Sequence, residues 1–135
     1  MKTNKKNLTT LRAFKMRQNK KKLIAKLDRL VSEYVRKRDK RCVTCNKTTD
    51  LTCSHLITRG CMSLRFNLMN CNAQCRGCNL LHEYRPERYT QWWINKYSLE
   101  EYEALVTKSK QIKRFTEEEL EALIQAMKQL IKEVK

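Results

Sequence analysis

Two cysteine pairs, Cys42-x2-Cys45 and Cys75-x2-Cys78, constrain this chain more than anything else in it. Each pair has the spacing of a metal knuckle, and together they offer four thiolates to one tetrahedral zinc. All seven cysteines fall between positions 42 and 78. An odd number, in a chain whose N-terminus lacks the apolar segment of a signal peptide, argues against a disulfide framework. The segment from Cys42 to about Tyr84 is also too short to build a self-sufficient core. A structural zinc contributes on the order of 10–16 kcal/mol of apparent binding free energy, available only when the chain folds around it. Zn2+ on Cys42, Cys45, Cys75 and Cys78 is therefore the first expectation. Cys53, Cys61 and Cys71 lack partners at knuckle spacing and read as small buried residues.

The knuckles are separated by 29 residues, more than the roughly 15–20 of a plain zinc ribbon, so the insert must hold structure. Thr48 to Ile57 alternates and is rich enough in β-branched residues for a strand, which Thr58-Arg59-Gly60 breaks. A second short strand or extended loop is expected through Leu64-Arg65-Phe66. After Cys78, "NLLHEYR" has helical character. The order is then knuckle, strand, loop, strand, knuckle, helix. It places His55 near the end of the first strand, Asn70 before the second knuckle and Asn79 at the helix start.

The flanks are helical and unequally charged. Of the net +16, residues 1–41 hold +13, with 16 Lys/Arg against three acids. A basic arm on a nearly neutral body is the footprint of a nucleic-acid binder; a solubilising tail is the other reading. Residues 1–21 are expected to be a basic flexible arm, and residues 22–41 an amphipathic helix with Leu23, Leu27, Leu30, Val31, Tyr34 and Val35 on one face. Lys20, Lys21, Lys22, Arg36, Lys37 and Arg38 are the expected DNA contacts. Residues 42–84 form the zinc-bound core and residues 85–135 the C-terminal helices. Pro86 suits the first turn of one helix, and Ser98-x-x-Glu101 and Thr116-x-x-Glu119 are capping boxes for two more.

The last helix carries Leu120, Leu123, Ile124, Met127, Leu130, Ile131 and Val134 at spacings of three and four. That stripe either folds back on the helix around Trp93 or pairs with a second chain; a homodimer is the expectation. No apolar run approaches the ~20 residues of a membrane span, so the protein reads as soluble and intracellular, without a membrane partner.

Three stretches carry a specific resemblance: "KLDRLVSEYVRKRDKRCVTC", "CSHLITRGCMSLRFNLMNCNAQCRGCN" and "YTQWWINKYS". Together they resemble the phage NinG/Rap recombination-nuclease family. His55, Asn70 and Asn79 laid over two knuckles also look like the HNH nucleases of the His-Me (ββα-metal) finger group. Asn79 directly after the last cysteine is similar to the endonuclease VII type of Holliday-junction resolvase. The resemblance implies an α+β, mostly helical fold with a zinc-stapled ββα-metal core flanked by helices. It also implies a Mg2+- or Mn2+-dependent DNA endonuclease acting in phage recombination on branched DNA, in the cytoplasm of the host cell.

The resemblance makes His55 the general base and Asn79 a ligand of the catalytic ion, with Asn70 bracing the histidine loop. Arg59 and Arg65 are candidate phosphate clamps, since guanidinium suits phosphate, and His82 is a candidate further ligand. One departure stands out. The positions where many HNH nucleases carry an acidic ligand are Ser54 and Thr52 here, so the second ligand is missing from the motif. The alternatives are a site-specific or nonspecific HNH nickase, or a zinc-knuckle DNA-binding protein without catalysis.

Overall fold

A computed structural model describes residues 2–135, with side chains from Asn7 onward. Among these residues the chain is mostly helical, with five helices and a two-stranded sheet. The first helix, α1, runs unbroken over Lys2–Asp39. It is built from strong helix formers, and the chain has no Gly or Pro before Gly60 to stop it. It ends where Lys40 adopts a left-handed φ of 62° and its N–H donates to the Arg36 carbonyl at 3.0 Å. The helix thus continues back through the segment read from sequence as a flexible arm. Leu8, Leu11, Phe14 and Met16 there remain more than half exposed, so propensity carries the helix past the point where packing stops.

Strands β1 (Leu51–His55) and β2 (Cys71–Cys75) pair antiparallel, with His55 opposite Cys71 and Leu51 opposite Cys75. The second strand therefore lies past the expected Leu64–Phe66, which sits instead in a chain of tight turns. Those turns step from Thr58 through Cys61, Leu64 and Asn67 to Asn70 by successive N–H···O bonds of 2.9–3.1 Å. Every residue of β2 is buried, so the strand shows no alternation of apolar and polar residues to read. Its polar members are hydrogen-bonded inside. Asn72 Nδ2 donates to the Tyr89 hydroxyl at 2.9 Å, and Gln74 Nε2 donates to Thr44 Oγ1 at 3.0 Å.

Helix α2 (Arg76–Tyr84) follows β2 without a linker, and α3 (Glu87–Lys96), α4 (Leu99–Ser109) and α5 (Glu117–Glu133) complete the body. Both N-caps form: Ser98 and Thr116 accept from the backbone N–H of Glu101 and Glu119. Two apolar clusters hold the layers together. Leu56, Leu64, Tyr89, Trp93 and Leu105 join the turn-rich loop to α3 and α4. Leu27, Val31 and Val35 of α1 pack with Cys71 and Ala73 of β2 and with Leu120, Ile124 and Met127 of α5.

The C-terminal stripe is therefore spent inside the chain, on α1 rather than on the helix around Trp93. It gives no argument for pairing with a second copy. Leu123 packs against the same cluster, and Met127 is only 5% exposed. Changing both to Asp is expected to destabilise the fold by about 3–5 kcal/mol, because two charges would be driven into an apolar contact. The denaturant midpoint measures this. An unchanged midpoint with a halved solution mass would restore the pairing reading.

The end of α1 is also anchored to the sheet by polar contacts. Arg38 reaches Leu68 O at 3.0 Å, Cys71 O at 2.8 Å and the Asp39 carboxylate, whose Oδ2 accepts from Ala73 N at 2.8 Å. Arg38 is thus an internal tie rather than a cation displayed to DNA.

Candidate functional site

The two knuckles converge through quite different local structures. Cys42 and Cys45 lie on a tight loop in which Asn46 N donates to Cys42 O at 2.8 Å and Asn46 takes a φ of 67°. Cys75 closes β2 and caps α2, its sulfur accepting from Cys78 N. The four sulfurs lie within 4.8 Å of one another, and those of Cys45 and Cys75 are 3.7 Å apart. Tetrahedral Zn–S bonds of about 2.3 Å place sulfurs roughly 3.7 Å apart, so the four thiols fit a structural zinc.

Two of the thiols are held at opposite protonation preferences. Burial opposes ionisation of Cys42. Hydrogen bonding with the Thr44 side chain and with the backbone of Cys75, Thr44 and Cys45 outweighs it and brings the pKa down to about 6. Burial, helped by the neighbouring sulfurs, pushes Cys78 up to about 12. Metal-free, the cluster holds one easily ionised thiol and one that keeps its proton. A divalent ion removes that conflict by binding all four as thiolates, displacing their protons.

Beside the knuckles lies a cleft of about 510 Å3 lined by Cys53, His55, Leu56, Thr58, Arg59, Asn79, His82 and Glu83. His55 and Asn79 meet here because β1 ends beside the first turn of α2. His55 Nε2 sits 3.0 Å from the Arg65 carbonyl. A carbonyl only accepts, so Nε2 carries the proton and Nδ1 the lone pair. Burial holds the imidazole pKa below its ordinary value; the Arg65 carbonyl and Asp28 act upward, while the charges of Arg59 and Arg65 act downward. The ring is neutral near pH 7.

Asn70 is fully buried behind this strand end. Its Oδ1 accepts from Ile57 N at 2.9 Å, and its Nδ2 donates to the carbonyls of Ile57 and Leu64. It thereby clamps the chain two residues past His55. Arg59 is exposed at the mouth of the cleft. Arg65 is not free to clamp a phosphate: its Nε and Nη2 form a two-point pair with Asp28 of α1 at 2.9 and 2.6 Å. It fixes the loop whose carbonyl orients His55. His82 Nε2 lies 2.8 Å from Leu56 O and its ring meets Tyr89 edge-on, which is a packing arrangement, although Nδ1 is left buried without a partner. Lys21, Lys22, Arg36 and Lys37 are exposed and Lys20 is half-buried, all on α1. Lys37 also pairs with Glu33 at 3.4 Å.

Two features escaped the sequence reading. Glu83 lines the cleft one helical turn beyond Asn79 and is the only carboxylate among its lining residues. The i, i+4 spacing of Asn79 and Glu83 on "NLLHE" was the available signal. Cys53 and Cys71, read as isolated buried thiols, stand within 4.8 Å of a His55 ring nitrogen and of each other.

Among the described residues no helix is long and apolar enough to cross a membrane. No curated protein and no solved structure matches the chain, whereas the family described as bacteriophage lambda NinG protein matches residues 1–135. A match that runs from the first residue to the last makes the chain a member of the bacteriophage lambda NinG family.

Proposed function

We propose that this chain is a divalent-metal-dependent DNA endonuclease of the HNH type, working on branched DNA during phage recombination. One observation carries the reading: a neutral His55, with its Nε2 proton held by the Arg65 carbonyl, shares a cleft with Asn79 and Glu83. Hydrolysing a phosphodiester needs a base to take a proton from water, and His55 Nδ1 has the free lone pair for it. Asn79 and Glu83 offer two oxygens to a hard ion such as Mg2+ or Mn2+, the kind of donor such ions select. That ion, when bound, supplies charge stabilisation to the scissile phosphate and the departing 3′ oxygen. Glu83 thereby fills the role that Ser54 and Thr52 leave open.

Ser54 has one hydroxyl proton for two oxygens, Gln74 Oε1 at 2.6 Å and Asn79 Oδ1 at 2.7 Å. Gln74 Nε2 donates to Thr44 Oγ1, which also contacts Cys42 Sγ at 3.4 Å, so Gln74 turns its oxygen toward Ser54 and accepts the Ser54 hydrogen bond. Asn79 Oδ1 faces Ser54, and a half-turn of the amide would let Nδ2 donate to Ser54 and free Oδ1 for an ion. Contacts through Thr44, Gln74 and Ser54 thus join Cys42 of the knuckle to the Asn79 amide.

The basic α1 supplies phosphate contact. Deleting residues 1–21 removes eight cations and no acids. If half of them touch phosphate, the slope of log affinity against log salt on duplex DNA flattens by about 3–4 units. An unchanged slope assigns those residues to solubility alone.

The direct test is Mg2+-dependent cleavage of matched linear, flap, fork and four-way DNA. Cleavage preferring the branched forms is expected. Tight binding of all four without cleavage in Mg2+ or Mn2+ would make the protein a zinc-knuckle DNA-binding module.

A further inference from the structure

We propose that Cys53, Cys71 and His55 form a second metal site, selective for a thiophilic ion of the zinc class, whose occupancy withdraws the His55 imidazole from proton transfer. The residues form a triangle on one face of the sheet. Cys53 and His55 are two apart on β1, and Cys71 stands directly across from His55 on β2. The two sulfurs and one His55 ring nitrogen all lie within 4.8 Å of one another. A tetrahedral ion with Zn–S near 2.3 Å and Zn–N near 2.0–2.1 Å needs separations of roughly 3.5–3.8 Å, within reach of small side-chain rotations.

A disulfide suits the geometry less well. Cys53 pairs across with Ala73, so it is the diagonal neighbour of Cys71. Diagonal partners sit about 7–8 Å apart in antiparallel strands, beyond the roughly 4.4–6.8 Å between Cα atoms that a disulfide spans. A metal ion bridges what a sulfur–sulfur bond does not.

The surroundings favour a metal as well. A ligating histidine generally donates its other ring N–H to a carbonyl or carboxylate, and Arg65 O already holds His55 Nε2–H at 3.0 Å. Nδ1 is then the ligand nitrogen. The same carbonyl accepts from Cys71 Sγ at 3.5 Å, a contact given up when that thiol ionises. Cys53 and His55 also line the cleft, leaving the fourth coordination position to water. Binding one Zn2+ forms two Zn–S bonds and one Zn–N bond and releases two thiol protons; neutral His55 releases none. Two thiolates reject Mg2+, a hard ion, so the catalytic ion and this one do not compete for ligands. They compete for the use of His55, because a coordinated Nδ1 has no lone pair left for water.

The metal-binding claim stands on geometry alone, whereas its effect on cleavage rests on the proposed nuclease. Full-length protein carrying its knuckle zinc is titrated with Zn2+ against a chelator of known affinity. Expected are a second equivalent per chain and a shift of the 15N resonance of His55 Nδ1, both lost in Cys53→Ala and in Cys71→Ala. No uptake of zinc beyond the knuckle ion, or a second equivalent that persists with its resonance shift in both variants, overturns the site. In Mg2+-driven cleavage, Zn2+ should inhibit the native protein at concentrations at least tenfold below those needed for Cys53→Ala. Saturation of the second equivalent with undiminished cleavage overturns the withdrawal of His55. A protein that takes up the second zinc with the resonance shift but cuts no DNA upholds the site and refutes the nuclease.

Discussion

His55→Ala is expected to lower Mg2+-dependent DNA cleavage by about 10²–10⁴-fold, the usual cost of losing a general base. Its knuckle zinc and DNA affinity should stay close to native, because neither the four-cysteine cluster nor α1 includes His55. The native rate should also report the environment of the ring. Burial holds its pKa below 6.5, so the neutral base persists into mildly acidic solution. The rate should rise with pH through a midpoint under 6.5 and then level off. The same depression makes the unfolded chain the better proton acceptor, so this contribution to stability fades as pH falls below 6.5. Undiminished cleavage by His55→Ala would remove the imidazole from the mechanism.

Cys75→Ser is expected to cost metal and fold together. Cys75 closes β2, caps α2 and contributes one of four sulfurs, so its loss acts on a strand, a helix start and the zinc site at once. Structural zinc is worth on the order of 10–16 kcal/mol of apparent binding free energy, comparable to the whole stability of a small domain at roughly 5–15 kcal/mol. Native protein should contain one tightly held zinc, and the variant should lack it and lose its cooperative unfolding transition. A metal-free Cys75→Ser protein that still melts cooperatively near the native temperature would show that the apolar clusters suffice alone.

The cysteine spacing alone was enough to read the knuckle site, since two CxxC pairs have few other uses. Helix starts at Ser98 and Thr116 were legible for a similar reason: the capping box is local chemistry. The strand Cys71–Cys75 was not, because Asn72 and Gln74 are buried and satisfied by Arg38, Tyr89, Thr44 and Ser54, partners distant in sequence. Arg65 and Arg38 read as DNA contacts for the same reason. Nothing local announces that Asp28 lies across from one and that the Leu68 and Cys71 carbonyls receive the other. The stripe on α5 was visible, but its partner on α1 is set by the tertiary fold. His55 and Asn79 could be named from motif, whereas Glu83 and the Cys53–Cys71 pair emerged only when the strand end and helix were placed side by side.

The packing of α1 against α5 means that a helix made before the knuckles is covered by one made after them. Leu27, Val31 and Val35 find their α5 partners only after Leu120, Ile124 and Met127 have been synthesised. Until then the nascent chain carries an uncovered apolar face on a highly basic rod, while both knuckles, ending at Cys78, already have all their sulfurs. The knuckle sulfurs are thus all available to a zinc ion before the α5 residues that cover α1 exist. Products terminated before α5 would expose that face permanently, a state prone to aggregation. The order of synthesis thus makes the knuckle the early anchor and α5 the late clasp.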